Sequence, residues 1–67
     1  MAITLKAARV NANLTQPEAA EKLGVSTDTL RNWENGKTFP NVQQIKNIED
    51  AYGVSYNDLV FLPTHSA

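Results

Sequence analysis

The sequence predicts an all-α domain of five short helices, and three observations carry that expectation. Cap-forming hydroxyl and amide residues alternate with glycine and asparagine stops along almost the whole chain. Between these signals apolar residues recur at intervals of three and four, the period of one helix face. No segment shows the every-second-residue alternation of a half-buried strand, so no strand is expected.

The first helix is expected from about Thr4 to Ala12. The Thr4 hydroxyl suits an N-cap, where it accepts from a first-turn N–H that has no partner within the helix. Leu5, Ala8 and Ala12 fall on one face, and Asn13 tolerates the left-handed backbone of a helix end. The second helix opens at Thr15, which with Glu18 makes a T-x-x-E capping box. Pro17 sits in the first turn, where its missing N–H costs little. Leu14 and Ala19 are placed as a hydrophobic staple, Ala19, Ala20 and Leu23 face inward, and Gly24 ends the helix. The third helix starts at Ser26, buries Leu30 and Trp33, and stops at Asn35-Gly36. A loop over Lys37, Thr38, Phe39 and Pro40 leads to a fourth helix from about Val42 to Tyr52. Asn41 and Gln44 have cap-and-return spacing, and Val42, Ile45, Ile48 and Tyr52 repeat at 3, 3 and 4 residues, an amphipathic pattern. Gly53-Val54-Ser55 repeats the junction Gly24-Val25-Ser26, and a fifth helix is expected over Tyr56 to Leu62. The domain thus spans residues 1–62, with 63–67 read as a flexible tail.

A chain of 67 residues allows one domain. A domain this small buries only about 60% of the surface its unfolded chain exposes, so its core is marginal. With no Cys and with its single His at position 65, disulfides, thiolate metal sites and zinc fingers are excluded as supports. Close helix packing remains, with or without a partner chain. There is no apolar run of membrane-spanning length and no signal peptide, so a cytoplasmic protein is expected. Net charge is −1, but its distribution is uneven. Lys6, Arg9, Lys22, Arg31 and Lys37 put most of the positive charge in the first half.

The segment from Leu14 to Gly36 holds two helix starts, two helix stops and a junction of only Gly24-Val25-Ser26, the grammar of a helix-turn-helix. Its residues, with their neighbours, carry a family resemblance. They are Leu5-Lys6, Arg9, Leu14-Thr15-Gln16, Glu18-Ala19-Ala20, Leu23-Gly24-Val25-Ser26, Thr29-Leu30, Trp33-Glu34, Gly36 and Pro40. Ile45, Tyr52-Gly53-Val54-Ser55 and Asp58-Leu59 extend the match to roughly residues 3–62. The chain resembles the helix-turn-helix domains of the phage lambda repressor and Cro type, the Xre-like group. That resemblance implies a compact five-helix domain whose helix over 16–23 crosses the DNA backbone and whose helix over 27–35 enters the major groove. It also implies dimers on pseudo-palindromic operators.

Candidate contact residues follow from the face of the third helix opposite Leu30 and Trp33. Thr27 and Arg31 form one outward row, Asp28 and Asn32 another. Arg31 can fork onto guanine or hold a phosphate, and Asn32 can pair with adenine. Thr27 can touch a thymine methyl, and Asp28 can accept from a cytosine amino group. Against this stands a plain solvated face, with Asp28 and Arg31 as an intrahelical pair contributing a few tenths of a kcal/mol. Gln16 opens the second helix, whose free N–H groups favour an anion. The resemblance makes Gln16 a phosphate or base-edge contact rather than an ordinary first-turn residue. Ser26 is read as a cap with an additional phosphate contact. Asn35 and Lys37 match positions that touch the backbone. The resemblance further implies an ion pair between Arg9 and Glu34, partly buried and structural. Trp33 is read as core, not as a base-stacking platform.

No catalytic constellation, metal-ligand cluster or cofactor-binding loop is present in the sequence, so no enzyme activity, cofactor or small-molecule substrate is expected. The expected function is sequence-specific duplex-DNA binding by a small phage or bacterial repressor, the short chain favouring a stand-alone regulator. Homodimerisation is expected through Tyr56 and Val60-Phe61-Leu62 of the fifth helix. The alternative is a protein-interaction module, such as an antitoxin or the partner of another regulator. Low net charge and Asp28 on the presumed DNA face favour that alternative.

Overall fold

The structure, a computed structural model, describes residues 2–61. It contains a two-residue strand β1 (Ile3–Thr4), helices α1 (Leu5–Asn11), α2 (Gln16–Leu23), α3 (Thr27–Glu34) and α4 (Val42–Tyr52), a 3₁₀ turn (Tyr56–Asp58) and a second short strand β2 (Leu59–Val60). The helices begin where the caps place them. Thr4 Oγ1 accepts from the Ala7 N–H at 3.1 Å. Thr15 and Glu18 close a reciprocal capping box, as do Asn41 and Gln44. Ser26 Oγ accepts from the Thr29 N–H at 3.1 Å.

All four helices also end alike. Asn13, Gly24, Gly36 and Gly53 each take a left-handed backbone, with φ of 61°, 71°, 77° and 67°. After each, the next N–H reaches back five residues, as Leu14 does to the Arg9 carbonyl and Val25 to that of Ala20. Lys37 does the same to Asn32 and Val54 to Glu49. This closure satisfies carbonyls that the helix leaves open and turns the chain sharply.

Corrections fall at the two ends. A five-helix domain is not what the structure shows: four helices are present among the described residues, and the expected fifth is a single 3₁₀ turn followed by a strand. Ser55 does start a turn there, its side chain accepting from Asn57 N–H and its carbonyl from Asp58 N–H. Leu59 then becomes extended, at φ −84° and ψ 136°. Extension lets Leu59 bury its side chain in the core while β2 pairs in parallel with β1, Ile3 opposite Leu59 and Thr4 opposite Val60. The expectation of no strand fails with it. Leu62 and the tail 63–67 lie outside the described residues. On α4, Val42 continues the apolar face that its spacing predicts but is 82% exposed.

The core takes Leu5 and Ala8 from α1, Ala19, Ala20 and Leu23 from α2, Leu30 and Trp33 from α3, Ile48 and Tyr52 from α4, and Leu59 from β2. Leu30 and Ile48 are fully buried at its centre. The alanines let α2 lie close to its neighbours, and α2 packs against both α3 and α4. Held this way, α3 keeps one face in the core and presents the other outward.

Candidate nucleic-acid interface

The turn between α2 and α3 is set by Gly24, whose left-handed φ carries no steric penalty only in the absence of a Cβ. Its N–H donates to the Glu21 carbonyl at 3.2 Å and the Val25 N–H to Ala20 at 3.0 Å. Val25 is half-buried against the core, which sets the angle at which α3 departs. Ser26 caps α3, and its hydroxyl also donates to Thr29 Oγ1 at 2.9 Å.

The outer face of α3 is polar. Asp28, Arg31 and Asn35 are exposed at i, i+3 and i+7, directly opposite Leu30 and Trp33. Thr27 and Asn32 flank them half-buried, and Ser26 and Lys37 are exposed at the two ends of the helix. The Asn32 carbonyl accepts from the Lys37 N–H at 2.9 Å, so the loop carrying Lys37 is tied to the helix end. Asp28 Oδ1 accepts from Arg31 Nη1 at 2.9 Å, with both side chains largely in solvent.

Behind this face a polar network joins the elements. Arg9 Nε donates to Glu34 Oε2 at 2.8 Å and Arg9 Nη2 to Glu34 Oε1 at 3.4 Å, a forked contact buried between α1 and the end of α3. Arg9 Nη1 donates to the Leu14 carbonyl at 2.8 Å, which ties in the loop before α2. Gln16 Nε2 donates to Glu34 Oε1 at 3.0 Å. Gln16, expected as a phosphate or base-edge contact, is half-buried and its amide is also fastened to the far end of α3. Arg9 and Gln16 bring three donor nitrogens to the Glu34 carboxylate, the satisfaction that a buried charge requires. Tyr52 of α4 completes the surroundings. Its hydroxyl is pushed up to about 12, first by burial and then by the negative charge of Glu34, with Arg9 opposing.

Phe39 and Val42 form a surface that the sequence reading missed. Phe39 is 57% exposed, and its ring meets Phe61 edge-on, 6.2 Å between centroids. Val42, Ile45 and Tyr56 line an adjacent open groove of about 260 Å³. Periodicity puts Val42 on the apolar face of α4, and no local signal marks it as exposed. Among the described residues no group of three or more His, Cys, Asp or Glu could hold a metal ion. No helix among them is long and apolar enough to cross a membrane.

Comparison with known proteins matches residues 5–59 to the family model described as helix-turn-helix. The chain is similar to an HTH-type transcriptional activator, BcrR, of Enterococcus faecalis, 38% identical over 56 residues, covering 84% of this chain and 28% of that protein. It is similar to the type II methyltransferase M1.ScrFI of Lactococcus lactis subsp. cremoris, 39% identical over 51 residues, covering 72% of this chain and 13% of that enzyme. It is also similar to an uncharacterized HTH-type transcriptional regulator, MJ0272, of Methanocaldococcus jannaschii, 40% identical over 55 residues, covering 82% of this chain and 83% of that protein. The chain thus spans under a third of the activator and a small fraction of the methyltransferase. No solved structure gives a significant match.

Proposed function

Because the chain belongs to the Xre-type helix-turn-helix family of DNA-binding transcriptional regulators, we propose that it binds duplex DNA sequence-specifically by inserting α3 in the major groove. The observation that carries this reading is the exposed row Asp28, Arg31 and Asn35 on a helix whose opposite face is locked in the core. A reading helix must be held rigidly, and the Arg9–Glu34–Gln16 network fixes α3 to both α1 and α2. In this reading Arg31 and Asn32 address base edges, with Thr27 and Asp28 beside them. Ser26, Asn35, Lys37 and the N-terminal end of α2 at Gln16 hold phosphates. Repression is the proposed sign of regulation, since occupying a promoter requires nothing beyond binding.

We further propose that two copies bind a pseudo-palindromic operator. One eight-residue recognition helix gives a small contact area, and a second copy doubles it. Support comes from the exposed apolar side chains of Phe39, Val42, Tyr56 and Val60. The same apolar surface favours the alternative of a protein-interaction module, which the salt dependence of binding separates.

Selection from a randomised duplex pool at low salt should recover a preferred site. Its affinity should fall steeply with added salt, with a logarithmic slope of about −0.9 per phosphate contacted. If no duplex is retained at low salt, the DNA reading fails and the interaction reading stands.

A further inference from the structure

The ion pair between Asp28 and Arg31 stands out because it lies on the face that would meet DNA. An acidic residue there repels phosphate, and a helix surface offers Arg31 no other anchor among the contacts of the described residues. Resting on the DNA reading above, we propose that Asp28 is a positioning residue that makes Arg31 a guanine reader rather than a phosphate clamp.

The geometry supports this in three ways. First, the Asp28 carboxylate engages Nη1 alone, at 2.9 Å, so the Nε–Nη2 edge of the guanidinium stays open as a two-pronged donor. That edge matches the O6 and N7 acceptors of guanine in the major groove. Second, the pair draws the guanidinium back one turn toward the N-terminal part of α3, the part that reaches base edges in helix-turn-helix docking. Third, a free arginine on a helix surface samples many rotamers, and any phosphate within reach would hold it without regard to sequence. Pairing biases those rotamers before DNA arrives, and it offsets part of the negative charge that Asp28 would otherwise present to the backbone. The remaining lone pairs of Asp28 stay available to a cytosine or adenine amino group next to the guanine.

The test is a comparison of base preference, not of affinity. Preferred sites are selected from a randomised duplex pool with the wild-type chain, Arg31→Ala, Asp28→Ala and Asp28→Glu, each checked for helical content by circular dichroism. The position whose guanine preference disappears in Arg31→Ala is the one that Arg31 reads. At that position Asp28→Ala should lower discrimination between guanine and other bases by about 5-fold or more. Its affinity for unrelated duplex should rise, since a negative charge is gone. Asp28→Glu keeps a carboxylate at i,i+3 and should recover part of the lost discrimination. The proposal is overturned if Asp28→Ala raises specific and unrelated affinities by the same factor, because a mere charge effect would do that. It is also overturned if Arg31→Ala removes affinity without changing any base preference, an outcome that leaves the DNA reading intact. A wild-type chain that retains no duplex removes both together.

Discussion

Helix α3 carries two ion pairs built from the same chemical groups, and they do opposite jobs. At its C-terminal end Glu34 is 6% exposed and joins Arg9, which lies 25 positions earlier in the chain. Near its N-terminal end Asp28 joins Arg31 three residues on, with their side chains 81% and 54% exposed. The first pair is shielded from water, forked, and completed by Gln16 and the Leu14 carbonyl. Among the described residues the second has a single hydrogen bond, and it competes with solvent. Burial, not the identity of the charges, decides whether a pair belongs to the scaffold or stays available to a ligand.

The strongest way to break that contrast is to remove one partner from each pair. Glu34→Ala strands the Arg9 guanidinium in the interior and should cost about 3–5 kcal/mol. For a domain of this size that approaches the whole of its stability, so urea unfolding followed by circular dichroism should show little folded protein at moderate temperature. Replacing both residues with apolar ones, Arg9→Met with Glu34→Leu, should recover much of the loss. A Glu34→Ala variant as stable as wild type would put both pairs in the same class. Arg31→Ala is the counterpart. It should leave the unfolding midpoint almost unmoved while weakening binding to the selected duplex by about 1–3 kcal/mol.

Gln16 tests where the scaffold ends and the interface begins. Its amide donates to Glu34, yet its position at the start of α2 is the one proposed to hold a phosphate. Gln16→Ala should lower stability by about 0.5–1.5 kcal/mol, the net worth of one hydrogen bond. In a double-mutant cycle with Arg9→Met and Glu34→Leu as background, that cost should largely vanish, because the acceptor is gone. Cost that persists in that background would detach Gln16 from the network.

These pairs also mark what could be read from sequence. Capping is local, so Thr15 with Glu18, Asn41 with Gln44, and the stops at Asn13, Gly24 and Gly53 announce themselves within a few residues. The bond from Gln16 to Glu34 spans 18 positions, and no periodic pattern signals it. The same holds for β2. Ser55 and Asp58 read locally as a helix start, but Leu59 is claimed by a pairing with Ile3 at the other end of the chain. Two-residue strands carry no alternation to detect. Val42 shows the converse, since its spacing continues the apolar face of α4 while its side chain is exposed. The exposure of Asp28 and Arg31 on α3 can be read from the sequence because burying Leu30 and Trp33 dictates which side of the helix faces outward.

Tyr52 gives the smallest and most specific probe of the buried pair. Its hydroxyl is buried and has no hydrogen-bond partner among the described residues. Burial and the Glu34 carboxylate raise its ionisation from 10.0 to about 12. The folded state thus holds this proton more tightly than the unfolded state does. The corresponding stabilisation is complete below pH 10 and disappears as pH climbs through about 12. Tyr52→Phe removes both the unpaired hydroxyl and the titration. At neutral pH it should be neutral or stabilising by up to about 1 kcal/mol, since no bond is lost. Above pH 10 the wild-type chain should lose stability relative to the variant, read as a growing gap between their urea midpoints. The exposed pair offers an internal control: Asp28→Ala should leave that gap unchanged, because its charge is screened by water and lies on the outer face of α3. A gap that Asp28→Ala removes would mean that the two ends of the helix are electrostatically coupled. The division between scaffold and reading face would then be less sharp than their burial implies.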